Sequence, residues 1–442
     1  MQNARLKRTV TFKEALAINI AAIIGAGIYV ISGLAAGFAG PSAILSIAVG
    51  AVVAILTGIS FAELAHNYAR EGGNYEYSRE VLGSYAGFMA GFIWLFATII
   101  SGSAVAISFG SYLLIALHIY AGTKIAAALL IVALAAINYY GIKNSARTAL
   151  VLTIVNIAVL LFFIIVGIFY IKPGNFTPLF PKGADGFFVA SAFIFFAYTG
   201  FARVTMLGEE IEEPKKNIPK AIIYSILISG GLYMLVMFVF IGIIPYASSA
   251  SSSSPLLEAI VYATHSDLFG YIITAGALIA TVNVDLAMIL GLSRVTFAMA
   301  RDKDLPAKLA RLNKYGTPDL AVIFSAVIMV LAVFFINFKE IISLSNATAL
   351  SSYAIANLAA MKLVFMNRNN PKKMLFKFRY IFIIPVLGVL STLAMLFFLT
   401  SFSIMLLFAV LILATIYYVA VRAERERKGV EIKYSHEKRS EW

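Results

Sequence analysis

The chain contains no cysteine among its 442 residues, and only 13% of its residues are charged. The missing cysteine excludes disulfides, cysteine-ligated metals and cysteine nucleophiles. The shortage of charge is more informative, because roughly 25% of the residues in a soluble globular protein are charged. With 61% hydrophobic residues and a mean hydropathy of +0.89, the chain has too few polar groups to cover its surface. Lipid must therefore replace water over most of it.

Other absences narrow the function. The four histidines are too scattered to suggest a metal cluster, so no metal and no cofactor is predicted. No G-x-x-x-x-G-K-[ST] motif occurs, so the chain does not itself hydrolyse ATP. A membrane-embedded enzyme would need a nucleophile with its base, or a metal pair. The sequence offers no His-x-x-x-His, no paired mid-depth aspartates and no G-x-S-x-G, so no catalytic residue is predicted. The sequence also contains no obvious selectivity-filter stretch, which argues against a channel.

Twelve apolar stretches are each long enough for a helix that crosses a bilayer, which takes about 20 residues. Because backbone polar groups in the bilayer must be satisfied internally, these stretches are helices rather than strands. The sequence thus predicts an all-α polytopic membrane protein with twelve transmembrane helices. The predicted spans are 14–38, 41–66, 84–117, 124–141, 148–171, 187–207, 219–245, 267–299, 319–337, 343–366, 379–399 and 402–422.

The distribution of Lys and Arg predicts the orientation of these spans. The termini and the even-numbered connections hold 29 of the 35 basic residues, and the opposite side holds 4. By the positive-inside rule, both termini are cytoplasmic and the protein is multi-pass in the cytoplasmic membrane. The net charge of +13 is then an orientation signal that contacts lipid headgroups, and no nucleic-acid partner is expected.

Two spans carry glycine near mid-depth. The first contains Gly25-Ala26-Gly27, and the sixth contains Gly200 followed closely by Arg203. Close packing of small residues is one interpretation. However, two interrupted helices at corresponding positions of two halves indicate the substrate site of a transporter. The spacing predicts a five-helix repeat over 1–172, an inverted repeat over 185–366, two added helices over 379–422 and a cytoplasmic tail over 423–442.

Four blocks of sequence resemble the amino acid–polyamine–organocation (APC) permeases, and they occur in the family's order. Together they are specific, although any one alone would be weak. They are Ile24–Ile28 with Gly33–Gly37 and Ala39-Gly40-Pro41; Phe61–Leu64 with Gly72–Tyr77; Phe195–Phe201 with Gly208–Pro219; and Ser293-Arg294 with Phe297–Asp302 and Leu305-Pro306.

This resemblance implies a LeuT-type fold, with a five-plus-five inverted repeat and breaks in helices 1 and 6. The family's function is secondary active transport of amino acids, and polyamines or other organic amines are the alternative substrates. Carried over, the backbone N–H groups of Gly25, Ala26 and Gly27 would hold the substrate carboxylate. The carbonyls of Ile23, Phe196 and Thr199 would hold its ammonium beside Gly200. Phe196 resembles the family's gate, with ordinary helix packing as its alternative role.

The sequence departs from the family's coupling devices. Asn156 occupies the position at which some proton-coupled relatives carry a lysine, and Ala202 replaces the acid-sensing glutamate of arginine–agmatine exchangers. Where sodium-coupled members of the wider fold have a hydroxyl pair, Thr281 and Asn283 lie in the stretch Ala280–Asp285. We therefore predict transport that does not need sodium, with protons as a candidate coupling ion.

Charged groups within the spans are expected to face a cavity or a partner. Asp285 is the carboxylate nearest mid-span, and Thr281 lies one turn before it on the same face. Three roles remain open for Asp285: a structural ion pair or hydrogen-bonded acid, a counter-ion for a cationic substrate, or a proton carrier. Arg203 is interpreted as a gate or helix-end ion-pair residue rather than a substrate ligand. A monomer and a homodimer are both compatible with the sequence.

Overall fold

A computed structural model describes residues 10–68, 73–119, 121–140, 146–207, 210–246, 252, 254–315, 317–368, 370, 373–376 and 381–427. Over these residues the chain is helical, and its one isolated β-bridge joins Val10 to Ile211. The helices are α1 (Phe12–Ile23), α2 (Ala26–Ala39), α3 (Ala43–Asn67), α4 (Asn74–Leu82), α5 (Ser84–Ala116), α6 (Thr123–Tyr139), α7 (Ala146–Gly167), α8 (Gly183–Ile194), α9 (Pro214–Ile243), α10 (Pro255–Thr264), α11 (Asp267–Arg301), α12 (Asp319–Phe335), α13 (Phe338–Asn367), α14 (Ile383–Leu396) and α15 (Ser401–Arg427).

Each predicted span contains helix in its described residues, although the first is interrupted at Ile24 and Gly25 and the sixth is irregular beyond Ile194. Among the described residues, eight helical segments are long and apolar enough to cross a membrane, the first running from Phe12 through Asn67. The helices α6, α12 and α14 are apolar but shorter. The protein is therefore a polytopic, all-helical membrane protein. The predicted tail begins as helix, because α15 continues to Arg427, and residues 428–442 lie outside the described part of the chain.

Two helices were not predicted. The helix α4 lies in the connection between α3 and α5. The helix α10 precedes α11 and follows a serine-rich run over residues 248–254. Neither has a long apolar stretch, since α4 is a nine-residue polar helix and α10 has ten residues. The span criterion therefore could not detect them. Of that serine-rich run, 248–251 and 253 lie outside the described residues.

Small residues set how closely the helices pack. The long helix α5 lies against α11 and α13, while α3 lies against α9. At Gly102 of α5, a Cβ would lie 2.5 Å from Cε of Met329, so any larger residue there would require the Met329 side chain to shift. Lipid tails are as apolar as leucine, which leaves van der Waals packing and interhelical hydrogen bonds to hold such a bundle together.

Interhelical hydrogen bonds occur where the packing is tight. The Asn74 side chain donates to the carbonyl and hydroxyl of Ser352, both at 2.8 Å. The Asn346 amide donates to the carbonyl of Ala192 at 2.9 Å, which ties α13 to α8. Each buried amide thus finds an acceptor on a neighbouring helix.

A polar cluster ties α4 to the end of α11. Arg79 lies 2.8 Å from Asp304 and 3.4 Å from Asp302. The Tyr75 hydroxyl lies 2.8 and 3.0 Å from oxygens of Asp304 and Asp302, so it can donate its one hydrogen to either carboxylate. Burial, reinforced by these carboxylates, raises the pKa of Tyr75 well above its usual range, so its hydroxyl stays protonated and remains a donor. The cluster thus adds polar contacts to a helix whose Tyr77 and Val81 are buried in the core.

We expect Arg79→Ala to destabilise the protein by about 3 kcal/mol, the lower end of the range for breaking a buried ion pair. The reason is that the Asp304 side chain, only 4% exposed, loses its arginine. The matched control is Lys216→Ala. The side chains of Lys216 and Glu213 are 61% and 67% exposed, so the loss of this ion pair should change the stability little. Thermal unfolding of the purified variants in detergent measures the difference. Equal melting temperatures for the two variants would contradict this role of Arg79.

Candidate substrate site at two helix breaks

The first helix is interrupted at Ile24 and Gly25. Ile24 ends α1 with φ −78° and ψ 64°, and Gly25 precedes α2 with φ −107° and ψ −143°. Ala26 and Gly27 form the first turn of α2 rather than an unwound stretch. The first N–H groups of a helix have no partner within it, and they form the positive end of its dipole. The start of α2 therefore lies at the position that was predicted to hold the substrate carboxylate.

The sixth span is irregular over a longer stretch. The α-helix ends at Ile194, a 3-10 turn covers Phe195–Tyr198, and a second covers Arg203–Leu207. Gly200 lies between the two turns, as the sequence indicated. The Phe196 carbonyl accepts from the Thr199 hydroxyl at 2.9 Å, and the Phe196 ring is only 5% exposed.

The two breaks meet backbone to backbone. A Cβ at Gly200 would lie 1.9 Å from the Ala22 carbonyl oxygen, and a Cβ at Gly27 would lie 2.7 Å from Cα of Ala197. Gly25 packs against Val284 of α11, because a Cβ at Gly25 would lie 2.2 Å from a Val284 methyl group. Close packing and helix interruption were alternative interpretations of these glycines, and the structure contains both.

Two tyrosines satisfy the carbonyls that the breaks release. The Tyr233 hydroxyl on α9 donates to the Ile23 carbonyl at 2.5 Å and lies 3.3 Å from the Ala197 carbonyl oxygen. The Tyr353 hydroxyl on α13 donates to the Thr199 carbonyl. Our sequence reasoning missed both residues. The signal that could have found them is a tyrosine inside an apolar span, since a buried hydroxyl requires a partner.

The Ile23 carbonyl was predicted to hold the substrate ammonium. In the structure it accepts from both the Gly25 N–H, at 2.8 Å, and the Tyr233 hydroxyl. Its two lone pairs are therefore already used by the protein. A substrate ammonium would have to displace one of these two donors.

Asn156 on α7 lies at the helix 1 break. Its amide donates to the Ile24 carbonyl at 2.5 Å, and its own carbonyl accepts from the Tyr29 hydroxyl at 2.7 Å. Only 2% of Asn156 is exposed. A neutral amide therefore occupies the position at which a lysine was sought from the family pattern, and it bonds to the break directly.

Asp285 is fully buried, and neither carboxylate oxygen has a hydrogen-bond partner among the described residues. It faces α5, because a Cβ at Gly102 would lie 3.2 Å from Oδ1 of Asp285. The Thr281 hydroxyl, one turn away, donates instead to the Ala277 carbonyl at 2.8 Å. Asn283 is 8% exposed. The structural ion pair that was one possibility for Asp285 thus has no second member in the described part of the chain.

A small cavity adjoins the helix 6 break. Its volume is about 30 Å³. It brings together two predicted site residues, Thr199 and Gly200, but it does not include Phe196, Asn156 or Asp285. Its walls come from four spans, namely Trp94, Ala97, Thr98 and Ser101 of α5, Thr199, Gly200, Ala202 and Arg203 of the break, Met288 of α11, and Ala349 and Tyr353 of α13.

We expect Gly200→Ala to abolish transport, because the added methyl group would force the two breaks apart at the Ala22 carbonyl. Gly231→Ala in α9 is the matched control, since a Cβ there meets nothing within 4 Å. Uptake by the reconstituted variants, normalised to the amount of inserted protein, measures the effect. Normal uptake by Gly200→Ala would show that the contact between the breaks is not required.

Comparison with known proteins places these features in a family. The family model described as amino acid permease matches residues 10–423. Among curated proteins, the branched-chain amino acid permease BcaP of Bacillus subtilis is 31% identical over 405 residues, which cover 87% of this chain and 86% of the relative. The methylthioribose transporter of the same organism is 32% identical over 403 residues, with the same shares covered. The vacuolar cationic amino acid transporter 2 of Arabidopsis thaliana is 30% identical over 387 residues, covering 82% of this chain and 60% of the relative. The chain therefore belongs to the amino acid permease family of the APC superfamily.

Proposed function

We propose that this permease is a secondary active transporter that moves amino acids across the cytoplasmic membrane by alternating access. The observation that carries the proposal is the helix start at Ala26 and Gly27, which offers N–H donors at membrane depth beside a second broken helix. Such half-helix termini suit the carboxylate of a substrate. Broken backbone at this depth is otherwise tolerated only where it is buried in protein or lines a cavity.

Alternating access further requires two halves that can move against each other, and we propose the five-plus-five inverted repeat for this. Helix packing supports it. In such a repeat, α5 and α11 are equivalent as the third spans of the two halves, and α7 and α13 are equivalent as the fifth. The contact of α5 with α13 then corresponds to the contact of α11 with α7, and both contacts occur. The pairs α3 with α9 and α6 with α12 would be their own counterparts, and both also occur. Both termini are proposed to be cytoplasmic.

The relatives differ in what their names say they carry, namely branched-chain amino acids, methylthioribose and cationic amino acids. A carboxylate distinguishes the first and third from methylthioribose, which is an uncharged sugar thioether. The N-terminus of α2 favours a ligand with a carboxylate. We therefore place α-amino acids first and organic amines or polyamines second, because an amine without a carboxylate would leave this helix terminus unused.

Coupling is proposed not to involve sodium. A cation site at the helix 1 break would need the Ile24 carbonyl, and Asn156 already donates to it at 2.5 Å. The Thr281 hydroxyl is likewise directed to its own helix. Energy would then come from substrate exchange or from protons.

The test is uptake of radiolabelled leucine and arginine into proteoliposomes, with unlabelled amino acids, putrescine and methylthioribose as competitors. We expect an amino acid to be accumulated or exchanged, and uptake to be unchanged when choline replaces sodium. Competition by methylthioribose or putrescine alone would overturn the amino acid assignment. Loss of uptake in choline would overturn sodium independence but leave the substrate assignment intact.

Asp285→Asn tests the two functional roles that remain for this carboxylate. The substitution preserves shape but removes the charge. A counter-ion role predicts that arginine loses affinity, by about tenfold or more, while leucine does not. A proton-carrier role predicts that exchange persists while accumulation driven by a pH gradient is lost. We expect one of these two outcomes, measured in the same vesicles. A variant with unchanged selectivity and unchanged pH dependence would exclude both.

A further inference from the structure

Arg203 is a cation without a counter-charge in the described part of the chain. Its side chain is half-buried and lines the cavity beside the helix 6 break. The ion pair first considered for it does not occur there, because none of the ion pairs among the described residues includes Arg203. Burying a charge without a partner is costly, so a guanidinium in such a place needs an anion that comes from elsewhere.

Three hydroxyl groups of the cavity already have partners within the protein. The Thr98 hydroxyl donates to the Trp94 carbonyl at 2.9 Å, and the Tyr353 hydroxyl donates to the Thr199 carbonyl. The Ser101 hydroxyl shares a hydrogen bond of 2.5 Å with that of Ser345. Among the described residues that line the cavity, Arg203 is the cationic one. Its planar fork matches a carboxylate with two parallel hydrogen bonds.

The size and position of the cavity limit which ligands can bind there. About 30 Å³ has room for a water-sized group or the head of a carboxylate, but not for a whole amino acid. The cavity begins at Thr199 and Gly200, and Gly200 also touches Ala22 of α1. A carboxylate that leaves the N-terminus of α2 would therefore find Arg203 directly beyond the second break.

We propose that Arg203 forms a second carboxylate site, which receives the carboxylate of the substrate as it passes from the α2 terminus into the cavity beside the helix 6 break. The inference rests on the proposed function and adds a step to it, in which the carboxylate exchanges backbone donors for a guanidinium. A free small anion such as chloride shares this chemistry, and the experiment separates the two sources.

The experiment compares leucine with leucinamide, and arginine with argininamide, as competitors of labelled amino acid uptake. Each amide keeps the ammonium and side chain but lacks the carboxylate. In the wild type we expect the acid to compete better than the amide. In Arg203→Gln this preference should fall by about tenfold or more, the effect of removing a hydrogen bond to a charged group. Arg203→Lys keeps the charge and should retain most of the preference.

Arg294→Gln is the matched control. This arginine is 55% exposed and lies 3.8 Å from Glu210, so its loss should leave the preference unchanged. A purely structural role for Arg203 predicts that acid and amide weaken together and that the preference persists. That result would overturn the proposal. If Arg203→Gln does not fold, Arg203→His measured at about pH 8.5, where an imidazole is uncharged, takes its place: a lost preference supports the proposal, and a preference that survives overturns it.

Replacing chloride with gluconate on both sides of the membrane separates the sources of the anion. Uptake that depends on chloride in the wild type but not in Arg203→Gln would assign the site to a free anion and overturn the substrate assignment. Unchanged uptake in gluconate is expected. A wild type that carries neither leucine nor arginine would overturn the proposed function itself, which distinguishes that failure from the failure of the Arg203 site.

Discussion

The fold depends on how two broken helices satisfy their backbone at membrane depth. Each interruption releases carbonyl and N–H groups in a medium that offers no water, and each unsatisfied group would cost several kcal/mol. The chain meets this demand with side chains from neighbouring helices. Tyr233, Tyr353 and Asn156 donate to the carbonyls of Ile23, Thr199 and Ile24. These three carbonyls therefore have partners within the protein, whereas the first N–H groups of α2 have none within their own helix.

These donors also connect the breaks to the rest of the bundle. Tyr233 belongs to α9, Tyr353 to α13 and Asn156 to α7, so three separate helices hold the two interruptions. On the α1 side, the Asn19 amide donates to the Phe201 carbonyl at 2.7 Å, and its carbonyl accepts from the Val204 N–H at 3.2 Å. The stretch after the helix 6 break is therefore tied to α1. These two segments should move together in any opening of the site.

Much of the fold was predictable from the sequence, because span length and apolar content are imposed by the bilayer rather than by tertiary context. The glycines gave the positions of the breaks, since glycine at mid-depth needs a packing or conformational reason. The short helices α4 and α10 escaped notice because, with nine and ten residues, they are too short to cross a bilayer. Pattern alone does not reveal a helix of this kind.

Individual side-chain contacts were less predictable from the sequence than the positions of the helix breaks. Asn156 was singled out as a departure from a family pattern, and nothing in its spacing indicated that its amide would bond to the Ile24 carbonyl. Tyr233 could not be assigned to the site without the geometry that brings α9 against α1. Contacts between residues 210 positions apart in the chain, such as that between Tyr233 and Ile23, follow from the fold and not from local sequence.

The occupied Ile23 carbonyl has a consequence for how a substrate would bind. A hydroxyl oxygen also accepts hydrogen bonds, so an ammonium near the break could bond to Tyr233 while that hydroxyl still donates to Ile23. Alternatively the hydroxyl could turn to the Ala197 carbonyl, 3.3 Å away, and release Ile23. In the second case the Tyr233 hydroxyl exchanges a contact with helix 1 for one with helix 6. Binding of the ammonium would then change which of the two broken helices is held by α9.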